Sequence, residues 1–124
     1  MAIVNASMKY IAKGTLEVTW ANMLNGDTGS GLTAPTLPDK TMTVRGTFGA
    51  GGSVSLKGTD SGDAGAVSTW DVLNDSRGEG NALTFTARDT RIVLENPAQV
   101  APHVTAGDGT TSLTVVLLAQ STLR

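Results

Sequence analysis

The tetrapeptide Asp27-Thr28-Gly29-Ser30 carries the most specific chemistry in this sequence. Asp-Thr-Gly followed by a small residue is typical of the catalytic loop of aspartic proteases, in which two carboxylates share one proton. That loop ends a buried strand, whereas here the motif follows Asn25-Gly26, a turn signal. The apolar pair with glycine that would form the supporting pocket is also missing downstream. We predict a polar loop, with a protease as an alternative that Asp27→Asn would test.

His103 is the single histidine. A zinc site would need carboxylates as its remaining ligands, and a Ser-His-Asp triad would need His103 as its base. Because His103 alternates with Pro102 and Val104 along a predicted strand, it points away from the side expected to be buried. We interpret it as an exposed histidine without a catalytic role.

Two acidic pairs, Asp60 with Asp63 and Asp71 with Asp75, lack the ligand spacing of a calcium loop. The nine lysines and arginines are scattered and the net charge is −2, so no basic stripe is available to follow nucleic-acid phosphates. Cysteine is absent, which excludes disulfides and thiolate zinc ligands. We therefore predict no catalytic residue, no metal, no cofactor, no small-molecule substrate and no enzymatic activity.

Short strands are predicted by the alternation of apolar and polar residues that recurs along the chain. Turn residues separate these strands at roughly ten-residue spacing, and no helical period of useful length occurs. The prediction is an all-β fold, an antiparallel β-sandwich or jelly roll of about eight short strands. The residues expected to face the core are Leu16, Val18, Trp20, Met42, Val44, Val54, Leu56, Leu83, Phe85, Leu113, Val115 and Leu117.

Several finer features follow from the same patterns. Residues 68–88 are predicted to form a hairpin in which Trp70 and Val72 share the buried face, with Trp70 and Phe85 as its largest core residues. A second hairpin is expected over residues 40–57. Strand 99–105 is placed at a sheet edge because proline cannot donate to a ladder, and strand 112–119 is expected to be covered on both faces. Trp20 and Trp70 could also be sugar-stacking platforms, but core packing is favoured.

The chain is predicted to divide into an N-terminal arm or edge strand, residues 1–13, and a single β-sandwich domain, residues 14–124. The first segment has apolar residues without a clean period and lacks the basic start and long apolar run of a signal peptide. No apolar run is long enough to span a bilayer, so no membrane partner is expected. The apolar residues of the arm are predicted to form an interface: Ile3, Val4, Met8, Tyr10 and Ile11.

Between residues 44 and 119 the order of turns and strand anchors resembles the small virion proteins of tailed bacteriophages, in particular head decoration or cement proteins. The residues that carry this resemblance are Gly46–Gly49, Val54–Gly58, Trp70–Asp75, Gly80–Leu83, Glu95–Pro97 and Gly107–Thr111.

The resemblance implies a structural protein that is made in the host cytoplasm and binds the outside of the capsid. There it would contact the major capsid protein as a symmetric homo-oligomer, with a trimer favoured over a dimer, and would staple neighbouring subunits. Two alternatives stay open beside the protease. One is another virion component, such as a tail or head-completion protein, and the other is a carbohydrate- or host-surface-binding β-sandwich module.

Overall fold

Two β-sheets packed face to face make up the computed structural model, which describes residues 2–61, 67–77 and 80–121. This confirms the predicted all-β sandwich. The strands are β1 (Ile3–Val4), β2 (Ser7–Ala12), β3 (Thr15–Met23), β4 (Thr28–Gly29), β5 (Asp39–Thr47), β6 (Ser53–Thr59), β7 (Asp71–Val72), β8 (Thr84–Phe85), β9 (Asp89–Ile92), β10 (Gln99–Ala106) and β11 (Ser112–Gln120), and a 3-10 turn spans Val67–Thr69.

Sheet I has the strand order β2-β3-β11-β5-β9, and every pair in it is antiparallel. Its centre is β11, whose alternate residues Leu113, Val115 and Leu117 are fully buried. The residues between them, including Val116 and Leu118, are half-buried. The expectation that both faces of this strand are covered is therefore wrong, because only one face of sheet I meets the other sheet.

Sheet II has the order β1-β4-β10-β6-β7, and β8 also pairs with β6. Strands β7 and β8 lie end to end along the same edge of β6, with Val72 opposite Lys57 and Thr84 opposite Ser55. The chain does reverse between them, since Asn74 and Ala82 form a bridge. The predicted hairpin is thus correct at its reversal and wrong in its pairing, because the two strands use β6 as their main partner.

The core lies between the sheets and consists of the inward residues of both. Trp20, Phe85, Met42 and Leu56 are among its completely buried side chains. Trp20 is therefore a core residue, as predicted, and is not available as a sugar platform. Its indole nitrogen donates a hydrogen bond to the Ser30 carbonyl oxygen over 3.0 Å, which satisfies its one polar atom.

Trp70 and Val72 do not share a buried face. Val72 is 40% exposed and Trp70 is half-buried, whereas Leu73, expected on the other side, is buried. The 3-10 turn explains the difference: Trp70 N–H bonds to Val67 carbonyl at its end, so the strand begins only at Asp71 and the alternation starts from there.

Strands β5 and β6 belong to different sheets, so the hairpin expected over residues 40–57 is also wrong. The turn at residues 49–52 instead carries the chain from one sheet to the other. Near it, Gly46 has a φ of 118°, and a Cβ at this position would lie 2.4 Å from the Ser112 carbonyl oxygen. Only glycine fits this close approach of β5 to β11.

Strand β10 is an interior strand of sheet II, which contradicts the predicted edge position. Its proline is tolerated because the neighbouring segment pairs with β10 on both sides of Pro102 and not at it. Val100 exchanges hydrogen bonds with Leu32, and Val104 bonds to Asp27, so the missing N–H of Pro102 falls between the two contacts.

Candidate interaction surface

The first two strands of the chain lie at the edges of the two sheets. β1 is the terminal strand of sheet II and β2 is the terminal strand of sheet I. Only Asn5 and Ala6 connect them, so the two strands must lie on the same side of the sandwich. Among the described residues, no strand pairs with the outer edge of either one.

β1 is attached to β4 by a parallel ladder. Thr28 N–H donates to the Ala2 carbonyl at 2.9 Å, and Ser30 N–H donates to the Val4 carbonyl at 2.8 Å. In this register the N–H and C=O groups of Ile3 face the opposite, open edge. Sheet II can therefore accept a further strand at β1.

Asp27 holds this arrangement together. Its carboxylate is buried and accepts a hydrogen bond from Ala2 N–H at 3.0 Å and one from Leu24 N–H at 2.9 Å. Both carboxylate oxygens are thus bound to backbone groups of the same chain. Gly29, two residues after Asp27, lets Trp20 approach closely, since a Cβ there would lie 2.7 Å from the indole ring. In this structure the Asp-Thr-Gly motif anchors β1 to the core.

β2 is exposed along its whole length, unlike the other longer strands. Met8 lies opposite Val18 and Tyr10 lies opposite Leu16, both of which face the core. Paired residues share a face of the sheet, so Met8 and Tyr10 are on the core-facing side of sheet I. They are nevertheless 58% and 69% exposed, because sheet II ends at β1 and does not extend over β2. We call the surface formed by Met8 and Tyr10 the apolar ledge.

The other predicted interface residues surround this ledge. Ile3 and Ile11 are also exposed, whereas Val4 is half-buried and packs against the core. Ile11 lies at a register shift between Tyr10 and Ala12, and the nearby Lys9 forms an exposed ion pair with Glu17 at 3.8 Å. The structure thus brings the exposed members together at one edge of the sandwich.

Leu24 was not identified from the sequence, because it stands beside the turn residues Asn25-Gly26 and belongs to no alternating run. It is 53% exposed, and its backbone nitrogen binds the same Asp27 carboxylate as Ala2. This places the backbone of Leu24 close to the start of β1.

A cleft of about 350 Å³ is lined by Asp75, Arg77, Asp89 and Arg91 with their neighbours. Arg77 pairs with Asp75 at 2.7 Å, and Arg91 pairs with Asp89 at 3.2 Å. The side-chain hydrogen bond from Arg77 holds the pKa of Asp75 below its usual range. Each arginine among the described lining residues already has a carboxylate partner, so these residues offer no uncompensated charge to a ligand.

His103 is half-buried and not exposed as predicted. Burial, and to a smaller extent the nearby charge of Lys57, lowers the pKa of His103. Its Nδ1 atom is buried and has no hydrogen-bond partner among the described residues. The 3-10 turn contacts β10, the strand that carries His103.

No group of three or more histidine, cysteine or acidic side chains that could hold a metal ion occurs in the described ranges. Of the two acidic pairs noted in the sequence, Asp60 is exposed and Asp63 lies outside the described residues. Asp71 is exposed and Asp75 is bound to Arg77. Within the same ranges, no helix has the length and apolar character needed to cross a membrane.

Comparison with known proteins supports the architecture. No family model and no curated protein sequence matches the chain. Among solved structures, the fold is similar to the SPBc2 prophage-derived protein YomS, with a TM-score of 0.59 and 8% sequence identity over 90% of this chain and 98% of that one. KdgF from Halomonas sp. aligns with a TM-score of 0.35 and 12% identity over 92% of this chain and 86% of that one, which is too low for a structural argument. The similarity to YomS establishes a shared fold.

Proposed function

We propose that this chain is a non-enzymatic bacteriophage structural protein that binds the outside of the capsid and stabilises it. The turns and strand anchors of residues 44–119 support a head decoration protein, and the fold is shared with a protein described as prophage-derived. The observation that carries the proposal is the apolar ledge, where two core-facing side chains are left uncovered beside two open strand edges.

The occupant that best fits this surface is an extended segment of the major capsid protein. Such a segment would add to the open edge of β1 and continue sheet II over Met8 and Tyr10. Its backbone would bond to the free groups of Ile3, while alternate side chains would pack on the ledge. Burying each large apolar side chain contributes about 1.5–3 kcal/mol, so a few such contacts give useful affinity.

The stabilising effect on a shell comes from repetition. A capsid presents the same binding site many times, and a symmetric oligomer can engage several neighbouring sites together. We propose a homo-oligomer, with a trimer favoured over a dimer, because capsid lattices offer threefold and twofold positions that a symmetric binder can match. Light scattering on the purified chain tests this, and a monomer at micromolar concentration would contradict assembly in solution.

The attachment surface can be tested by co-sedimentation with empty, expanded capsids that lack the protein. We expect the double variant Met8→Ser/Tyr10→Ser to bind at least 10-fold more weakly, since it loses two apolar contacts. Leu94→Ser is the matched control, because Leu94 is also exposed (47%) but follows β9, at the opposite edge of sheet I. It should bind like the unchanged chain.

The possible outcomes distinguish an error in the proposed attachment surface from an error in the proposed function. Equal binding by all three proteins would place the attachment surface elsewhere and reject the ledge. No binding of the unchanged chain to capsids would reject decoration, and labelling of the virion would then test a tail or head-completion position.

A further inference from the structure

Lys40 is a core residue despite its charge. It stands on β5 two residues before Met42, on the core-facing side of sheet I, and it is 1% exposed. Lysine is rarely buried to this extent without a carboxylate partner, because removing an ammonium group from water is costly. Desolvation lowers the pKa of Lys40, so its neutral amine, which is the nucleophilic form, is more accessible than in an exposed lysine.

The group facing this amine is an amide. Lys40 Nζ donates to Asn96 Oδ1 over 2.5 Å, and Asn96 Nδ2 donates to the Pro35 carbonyl oxygen over 2.9 Å. Since a C=O bond is about 1.23 Å long, Nζ lies no more than about 3.7 Å from the carbonyl carbon of Asn96. This is close to the separation of reacting atoms in a near-attack arrangement.

The sequence also protects Asn96 from its usual reaction. Asparagine normally loses its side-chain amide nitrogen as ammonia when the backbone nitrogen of the next residue attacks the side-chain carbonyl carbon. Here the next residue is Pro97, which has no N–H. The Lys40 amine is therefore the neighbouring nucleophile in position to react with this amide.

We propose that Lys40 and Asn96 join in an intramolecular amide bond. The Lys40 nitrogen attacks Cγ of Asn96 and forms the new C–N bond, a proton passes from Nζ to Nδ2, and the Cγ–Nδ2 bond breaks. The departing Nδ2 leaves as ammonia and takes up the proton that the Lys40 ammonium group lost on becoming a neutral amine. The products are the amide bond and one ammonium ion, so the overall reaction balances without an oxidant or other co-reactant. The Pro35 carbonyl, already bonded to Nδ2, holds the departing group.

Among the described residues, no carboxylate contributes to the pKa shift of Lys40, so the reaction depends on proximity and desolvation. We therefore expect it to be slow. Once formed, the bond would connect β5 to the segment after β9, across 56 positions of the chain. In this chain, which has no cysteine, the bond would constrain the unfolded state in the way that a disulfide does in other proteins.

Intact-mass spectrometry of the denatured protein, freshly purified and again after several weeks, tests the proposal. The expected mass is lower than that of the sequence by one ammonia molecule. Lys40→Arg and Asn96→Ala should each show the full mass of their own sequence. Trypsin should fail to cleave after Lys40 and should yield a branched peptide that joins residues 14–45 to residues 92–124.

One other reaction also releases ammonia, and the chain offers a control for it. Asn25 precedes Gly26, a pair prone to form a cyclic imide with the same mass loss. Asn25→Gln should retain the loss if it arises at Lys40, and mild alkali should not reverse it. A full sequence mass in the aged wild-type protein, or a loss that persists in the double variant Lys40→Arg/Asn25→Gln, would overturn the proposal. The wild-type peptide map decides the question even if the core variants do not fold.

Discussion

The adjacent strands β2 and β3 belong to one sheet and pair residue by residue, yet their environments are opposite. On β3, Leu16, Val18 and Trp20 are buried, whereas every residue of β2 is exposed. Met8 and Val18 are directly opposed and face the same side. The difference arises from the other sheet, which covers β3 and stops at β1. Apolar character therefore does not determine burial here, and the extent of the facing layer does.

Trp20→Ala should have the largest effect on the central region. Emptying a large buried aromatic site costs about 3–5 kcal/mol of unfolding free energy. Trp70→Ala is the matched control, since Trp70 is only half-buried, and it should cost clearly less. Urea unfolding of both variants measures this. Equal losses would mean that the Trp70 side chain is packed as completely as that of Trp20.

Asp27→Ala should have the next largest effect, because it leaves two backbone N–H groups, those of Ala2 and Leu24, without their acceptor. The expected loss is about 1–3 kcal/mol. Hydrogen exchange should speed up at the Thr28 and Ser30 amides, which bond to β1. Asp60→Ala, at an exposed aspartate, serves as the control. Unchanged exchange would show that β1 does not depend on this carboxylate.

Asp108 should give a smaller, pH-dependent effect. Hydrogen bonds, first from the Thr110 hydroxyl and then from Ala50 N–H, lower the pKa of Asp108 to about 2. A carboxylate whose pKa is lower in the folded than in the unfolded state adds stability above its unfolded pKa, and this is lost as pH falls. The melting-temperature advantage over Asp108→Asn should therefore be full at pH 5 and shrink between about pH 4 and pH 2. A constant difference across that range would contradict the prediction.

The smallest effect on stability is expected for Met8→Ser/Tyr10→Ser. Exposed positions usually tolerate substitution within about 0.5 kcal/mol. Thermal unfolding of the purified protein is the measurement. A loss as large as that of Trp20→Ala would mean that the apolar ledge is already covered, for example by a second copy of the chain, and oligomeric state would then be measured alongside.

Local patterns predicted which residues face the core along the long strands, and they could do so because the period of two fixes a side for each residue. They did not predict which strands pair. The turn at 49–52 has the composition of a hairpin turn but carries the chain from one sheet to the other. This is because β5 pairs with β11 and β6 pairs with β10, and both partners are far away in sequence. Trp70 was wrongly predicted to face the core because the 3-10 turn before it delays the start of the strand to Asp71, which changes the side on which each following residue lies.

The candidate interaction surface was predicted only as a set of residues. That Ile3, Met8, Tyr10 and Ile11 are apolar without a period is visible in the sequence. That Met8 and Tyr10 face the core side and lie beyond the end of sheet II depends on the other sheet's width, which no local pattern contains. The role of Asp27 was also hidden, because its partners Ala2 and Leu24 are defined by the folded backbone.

The positions of β10 and β11 have a consequence for how the chain acquires its structure. β11 is the middle strand of sheet I and β10 is an interior strand of sheet II, yet they are the last two strands in the described sequence. During synthesis, β3 and β5 are therefore made long before β11, the strand that pairs with both of them. Neither sheet can be completed until about the last fifth of the described chain has left the ribosome. Contacts of such long sequence separation make folding slow. Nascent chains that end before β11 should therefore remain unfolded and be open to proteolysis.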